Sequence, residues 1–317
     1  MSKDKMKKGI WFDLSDTKTF VDNQEKYLQA IIDLGFSEVG IPIKTRYSRR
    51  NFEMLDHFIG SCKKQDREVV GWVVCLFDMN IDEKLYCEKS DGEVEELWVC
   101  PVKAGMHKDK YLVNYNNKKM TYIEYLKTIV QESCAYPFDE INFQLLSYPN
   151  INACWCEECQ RIFEFKDNVF DIKNIDNLTK WVNLRAGTIE SLLKTLVEPI
   201  PKSKRISVNM FPDFGSYGRI GQKIFLGLDL EKIKDYCDCI RISPDHLGRL
   251  DMRENIEEAR AFLTYLSTHV LPAYLQFMGI TTSREYQTLN DVMSEMELPY
   301  FIIVPEAETL LTWWREV

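Results

Sequence analysis

The sequence predicts an α/β fold, a single (β/α)8 TIM barrel spanning residues 1–317, on three observations. Short apolar or β-branched runs alternate with longer stretches of helical periodicity, the pattern of βα units around a parallel sheet, and eight such units follow one another. No Gly/Ser-rich or Pro-rich linker divides the chain into two domains. No glycine-rich phosphate loop follows the first strand, which leaves a doubly wound nucleotide-binding sheet as an unsupported runner-up.

The first expected strand is 10–14, and an amphipathic helix over about 19–34 follows it, with Gly35 placed at the helix C-cap. The second strand is 38–43, with a helix over 52–65. The third, 69–77, is a nearly continuous apolar run, as in a strand covered on both faces. A long excursion over 78–119 precedes a helix at 121–134. Strand four, 141–146, leads into a loop carrying three cysteines and then a helix over about 175–197. Strands five to eight are expected at 206–211, 239–243, 273–277 and 300–304. Helices at about 228–236, 253–266, 283–296 and 307–314 separate or close them.

Composition narrows the function classes. Hydrophobic residues make up 45% and charged residues 28% of the chain, which suits a folded core and not disorder. With 40 Lys+Arg against 49 Asp+Glu the formal charge is -9, and the basic residues are scattered, so no nucleic-acid partner is expected. The Lys-rich start runs directly into Gly9-Ile10-Trp11-Phe12, with no apolar stretch suited to a signal peptide or a membrane helix. The expectation is therefore a cytoplasmic protein with no membrane partner. Ten cysteines in a reducing compartment are then buried, reactive or metal-bound, not a disulfide framework.

Three of those cysteines, Cys154, Cys156 and Cys159, fall within six residues, a spacing that lets three thiolates converge on one ion. Cys100 is the candidate fourth ligand, because the third and fourth βα loops are neighbours at one end of a barrel. The competing reading is that they are small buried hydrophobes, and it is preferred for Cys62, Cys75, Cys87, Cys134, Cys237 and Cys239.

Cys100-Pro101, then Pro137-Phe138-Asp139-Glu140-Ile141, then Tyr148-Pro149, then Cys154-x-Cys156-x-x-Cys159-x-x-x-Phe163, resembles the zinc-bearing, trimerising type of β-galactosidase and related TIM-barrel glycoside hydrolases. The resemblance covers about residues 98–163. It implies a structural zinc held by Cys100, Cys154, Cys156 and Cys159, and it makes a homo-oligomer an open question. Those relatives carry one carboxylate at the end of strand four and a second on strand seven. Here the corresponding segments read Ile141-Asn142-Phe143-Gln144-Leu145-Leu146 and Tyr274-Leu275-Gln276-Phe277-Met278, with no acid in either.

A glycosidase generally needs two carboxyl groups flanking the scissile bond. Barrel enzymes work at the C-terminal ends of their strands, so the acids just beyond those ends are the candidates: Asp13, Asp16, Asp78, Asp213, Asp245 and Glu306. Asp213 and Asp245 follow adjacent strands with matching parity and suit a general acid/base pair. With Glu306 they form the expected catalytic set, although an isolated loop Asp is commonly a helix cap. Strand parity turns Asn142, Gln144, Ser207, Asn209, Arg241, Ser243, Tyr274 and Gln276 into the lumen. Gln144, Tyr148, Asn209, Arg241, His246 and Gln276 are the expected substrate contacts. Trp11, Tyr148, Phe211, Tyr217 and Phe277 are candidate stacking platforms for a sugar. Two functions follow: a glycoside-hydrolase-like barrel acting on a carbohydrate or oligosaccharide, or a sugar-binding or repurposed barrel that has lost hydrolysis.

Overall fold

The computed structural model describes residues 7–12, 14, 17–47, 52–164, 175–210, 221–243, 252–278, 280, 282–296, 298, 300–305 and 307–316. Eight parallel strands close into a barrel: β1 (Lys7–Trp11), β2 (Glu38–Lys44), β3 (Glu68–Val74), β4 (Glu140–Gln144), β5 (Arg205–Met210), β6 (Cys239–Ile242), β7 (Ala273–Met278) and β8 (Tyr300–Val304). Each strand pairs with its sequence neighbours, and β8 closes onto β1 through Lys7↔Tyr300 to Ile10↔Ile303. All eight expected strands are present. The first begins three residues earlier than expected and the third ends at Val74. Pairing with β8 extends β1 back to Lys7, whereas beyond Val74 the Cys75 and Leu76 N–H groups still donate to the Gln144 and Leu145 carbonyls before Phe77 bridges to Trp98 of the excursion.

Helices surround the barrel, and their apolar stripes meet the outward-facing strand residues. Ile41, Val69, Val73, Phe143, Val208 and Leu275 belong to this wall-to-helix core. The expected 19–34 helix is two helices, Thr17–Asp22 and Gln24–Asp33, because Asn23 interrupts it with φ -120° and ψ 13°. The helix Tyr122–Ser133 starts on a reciprocal cap: the Thr121 side chain accepts from the Glu124 N–H, and the Glu124 carboxylate accepts from the Thr121 N–H. The remaining helices include Phe52–Lys64, Ile175–Val197, Met252–His269, Ser283–Glu295 and Ala307–Glu316, close to expectation. The helix expected at 228–236 is only Leu230–Ile233. No helix among the described residues is long and apolar enough to cross a membrane.

A second core fills part of the lumen. Trp11, Val70, Trp72, Val74 and Ile302 pack together there, on β1, β3 and β8. Gly40 on β2 makes room for the largest of them, since a Cβ at that position would lie 2.1 Å from Trp11 Cγ. The opposite wall, β4 to β7, turns polar residues inward, so the lumen has an apolar half and an amide-bearing half. The excursion between β3 and the helix Tyr122–Ser133 holds two antiparallel hairpins, Tyr86–Glu88 with Val94–Val99 and Val113–Tyr115 with Lys118–Met120.

Candidate functional site

Cys100 ends the first hairpin and caps the short helix Pro101–Ala104. Cys156 stands immediately before the helix Glu157–Phe163, which carries Cys159 in its first turn. The chain leaves β4 through Leu145, whose left-handed φ of 51° turns it into the loop that delivers Cys154. The four Sγ atoms of Cys100, Cys154, Cys156 and Cys159 lie within 4.8 Å of one another, all buried, and the group can hold a metal ion. Cys100 Sγ is 3.6 Å from Cys159 Sγ and 3.9 Å from Cys156 Sγ. A tetrahedral site with metal–sulfur bonds of about 2.3 Å has sulfur–sulfur edges of about 3.8 Å, so the spacing fits such an ion.

The surroundings also fit thiolates. The Glu88 N–H donates to Cys154 Sγ at 3.4 Å and the Lys103 N–H donates to Cys100 Sγ at 3.5 Å. Two buried cations flank the cluster, Lys103 and Arg185, as four thiolates around a dication would require. Lys103 Nζ also bonds Glu88 Oε1 at 2.7 Å. Against its burial, hydrogen bonds shared among the clustered sulfurs lower the Cys154 thiol, while burial and the same contacts push the Cys159 thiol up. Cys87 is a fifth sulfur beside Cys100 and Cys154, although sequence reasoning treats it as a plain hydrophobe. Its pairing with the hairpin strand that ends at Cys100 is a through-space fact with no local sequence signal.

The cysteine loop and the excursion join outside the metal ligands too. The Trp155 N–H donates to the Glu88 carbonyl at 2.6 Å. Glu158 accepts from Lys108 and, at 3.2 Å, from Arg161. The expected docking of the third βα loop on the fourth is therefore present at the C-terminal end of the barrel.

At the opposite end of the lumen, charges are paired with one another. Arg241 donates to Glu140 Oε1 through Nε at 2.9 Å and Nη2 at 2.7 Å, and to Glu38 Oε2 at 3.1 Å. Arg205 donates to Glu140 Oε2 at 2.9 Å, and Trp11 Nε1 donates to Glu38 Oε1 at 2.7 Å. The Arg241 guanidinium also lies 4.9 Å from the Trp11 ring centroid. Burial raises the Glu140 carboxyl above its ordinary range, and Arg241 partly offsets that. Arg241, expected as a substrate contact, is thus engaged by two carboxylates, and this correction follows from Glu38 and Glu140 standing at the N-terminal ends of β2 and β4.

Above that floor come the amides. Ser207 donates to Glu140 and accepts from Asn142 Nδ2 at 2.7 Å. Asn209 Nδ2 donates to Ser243 Oγ at 3.1 Å and to Gln276 Oε1 at 3.2 Å. The parity expectation thus holds for Asn142, Ser207, Asn209, Arg241, Ser243 and Gln276. Gln144 is 9% exposed, against 0% for Asn142 two residues earlier, so it stands nearer the mouth. At the rim of β2 and β3, the buried Lys44 Nζ meets Asp78 Oδ2 at 3.0 Å, and Tyr122 Oη donates to that carboxylate at 3.1 Å.

Tyr148 is not at the mouth. Its ring is fully buried, 4.3 Å from the Arg185 guanidinium, and a Cβ on Gly227 would lie 2.9 Å from it, which leaves it no face for a sugar. Trp11 fills the lumen and Phe277 faces the helices, so neither is an open platform. The aromatic pair that does border the mouth is Phe77 with Trp98, ring centroids 5.3 Å apart, and the sequence does not single it out. Asp13, Asp16, Phe211, Asp213, Tyr217, Asp245, His246 and Glu306 lie outside the described residues.

No protein-family model matches the chain. A search of curated proteins finds no match either. Among solved structures, the chain is similar to the PgaB (BpsB) glycoside hydrolase domain from Bordetella bronchiseptica, with a TM-score of 0.69, 9% identity and 98% of each chain covered. It is also similar to the pneumococcal virulence factor StrH, described in work on N-glycan recognition and hydrolysis, with a TM-score of 0.51, 10% identity, and 99% of this chain and 83% of that chain covered. At such identities the likeness establishes a shared (β/α)8 fold.

Proposed function

We propose that this chain is a carbohydrate-active barrel, one domain over residues 1–317, that acts on a glycoside at the C-terminal mouth. The observation that carries the reading is the amide-bearing half of the lumen, Asn142 and Gln144 on β4, Asn209 on β5 and Gln276 on β7, in a fold shared with a glycoside hydrolase domain. Neutral amides and aromatic rims recognise hydroxyl-rich, uncharged ligands through hydrogen bonds and stacking. In this proposal Asp213, Asp245 and Glu306 supply the acids, with Asp213 and Asp245 as the acid/base pair, while His246, Gln144, Asn209 and Gln276 hold the sugar.

The metal in this reading is a structural zinc on Cys100, Cys154, Cys156 and Cys159. Those four cysteines would hold it, and it would clamp the third and fourth βα loops together as a structural ion. A second reading rests on Gln144, which stands near the position where the resembling β-galactosidases carry a carboxylate, and on a strand seven, Ala273–Met278, that has no acid; it makes the protein a non-hydrolytic sugar binder.

A panel of aryl glycosides assayed with the intact chain and with Asp213→Ala, Asp245→Ala and Glu306→Ala separates the two. Hydrolysis that falls at least about 100-fold in Asp213→Ala or Asp245→Ala, the range a positioned acid or base contributes, supports the enzyme. Hydrolysis that persists in all three variants shows that other residues carry it. Sugar binding with no turnover on any glycoside selects the second reading.

A further inference from the structure

The lumen holds buried polar atoms without a hydrogen-bond partner among the described residues: Trp72 Nε1, Asn142 Oδ1 and Gln276 Nε2, with Arg241 Nη1 and Tyr300 Oη nearer the floor. Trp72, Asn142 and Gln276 are 4%, 0% and 1% exposed, and each stands on an inward-facing position of β3, β4 or β7. Buried polar groups in folded proteins are nearly always paired, because each orphan costs about 1–3 kcal/mol. Trp72, Asn142 and Gln276 all turn these atoms to the lumen side of one barrel, where a polar ligand group could pair with them.

The orientation of these atoms is set by their neighbours. Arg241 and Arg205 hold the Glu140 carboxylate at the floor. Ser207 spends its proton on Glu140 and accepts from the Asn142 amide nitrogen, so the Asn142 carbonyl is the end left over. Asn209 donates to the Gln276 carbonyl, so the Gln276 NH2 is the end left over. Register sets Trp72 beside Asn142 on adjacent strands. A ligand therefore meets one fixed acceptor, Asn142 Oδ1, and two fixed donors, Gln276 Nε2 and Trp72 Nε1. Val70, Val74 and Ile302 line the apolar side of the same lumen.

We propose that this layer of the lumen is a subsite for a secondary amide carrying a small apolar group, as in the acetamido substituent of an N-acetylated sugar. Its N–H donates to Asn142, its carbonyl accepts from Gln276 or Trp72, and its methyl lies against the valine and isoleucine side. A bare hydroxyl satisfies fewer of these groups and brings no apolar face. The inference rests on the carbohydrate reading above and specifies which sugars it favours.

Saturation-transfer NMR and calorimetric titration of the full chain with N-acetylglucosamine and N-acetylgalactosamine, against glucose and galactose, test it. The acetamido sugars bind at least about 10-fold more tightly, and their methyl protons receive the strongest saturation. Trp72→Phe, which keeps the ring and deletes the donor, and Gln276→Met each reduce that preference about 2- to 10-fold, the worth of one hydrogen bond. Circular dichroism confirms that both variants fold. Equal affinity for acetylated and plain sugars overturns the amide subsite and leaves the carbohydrate reading standing. A preference that survives both substitutions puts the subsite elsewhere and overturns the inference. Binding of none of the four sugars overturns the subsite and the carbohydrate reading together.

Discussion

Two buried polar assemblies sit at opposite ends of the barrel, and they differ in the groups they gather: paired opposite charges at one end, clustered thiols at the other. At the floor, Glu38, Glu140, Arg241 and Arg205 neutralise one another through bonds of about 3 Å. At the other end, four buried cysteine sulfurs lie within 4.8 Å of one another with two cations, Lys103 and Arg185, beside them. A network of two arginines and two glutamates bonded to one another is architecture, as expected at the N-terminal face of a barrel. Four sulfurs gathered at this spacing can hold a metal ion and so form a candidate site.

The largest effect should come from emptying that site. We expect elemental analysis to find about one zinc per chain, and a chelator or Cys156→Ser to loosen the segments around residues 78–119 and 147–164 together. Limited proteolysis and thermal unfolding would register this, since structural zinc in small domains contributes of order 10 kcal/mol. A metal-free protein with the same melting temperature would make the cluster a plain thiol core.

Next in size is the floor. Arg241→Met leaves Glu38 and Glu140 facing each other in a dry interior, and removal of one buried partner typically costs about 3–5 kcal/mol. Urea titration measures it. The pH dependence has a definite sign. A carboxyl whose folded pKa is raised, as burial raises Glu140, binds its proton more tightly when folded. Its contribution to stability therefore falls as pH rises from the ordinary carboxylate range near ~4.3 through the raised value. Loss of Arg241 widens that window, so the variant should regain part of its stability when moved from pH 7 to pH 5. No recovery on acidification would mean that the carboxylates find other partners.

A smaller effect is expected from Ser207→Ala, which removes the hydroxyl between Glu140 and Asn142 and should cost about 1–3 kcal/mol in thermal or urea unfolding. The smallest is Gln144→Ala at the mouth, which should leave folding unchanged and weaken sugar binding by about 0.5–1.5 kcal/mol in calorimetry. If Gln144→Ala destabilised the fold more than Ser207→Ala, the division between floor and mouth would be misplaced.

The barrel was legible because each strand is a short apolar run and parity sorts its two faces, which is local information. Cys154, Cys156 and Cys159 were legible for the same reason. The floor was not, since Arg241 reaches Glu38 across 203 positions and only closure of β8 onto β1 brings such residues round the ring. Arg241 alone resembles a ligand-binding cation, and Tyr148 beside a cysteine motif resembles a mouth aromatic. Each was reassigned by neighbours distant in sequence. Lys103 and Arg185 escaped notice because a lysine and an arginine on helices read as solvated faces until burial shows otherwise.

The clamp also has a history within each molecule, because the ribosome delivers Cys100 long before Cys154, with all of β4 between them. The nascent excursion carries one thiol of the four and waits for the other three to emerge. Only then can the two loops be locked, so the rim of the barrel is finished by an event that the earlier half of the chain cannot perform alone.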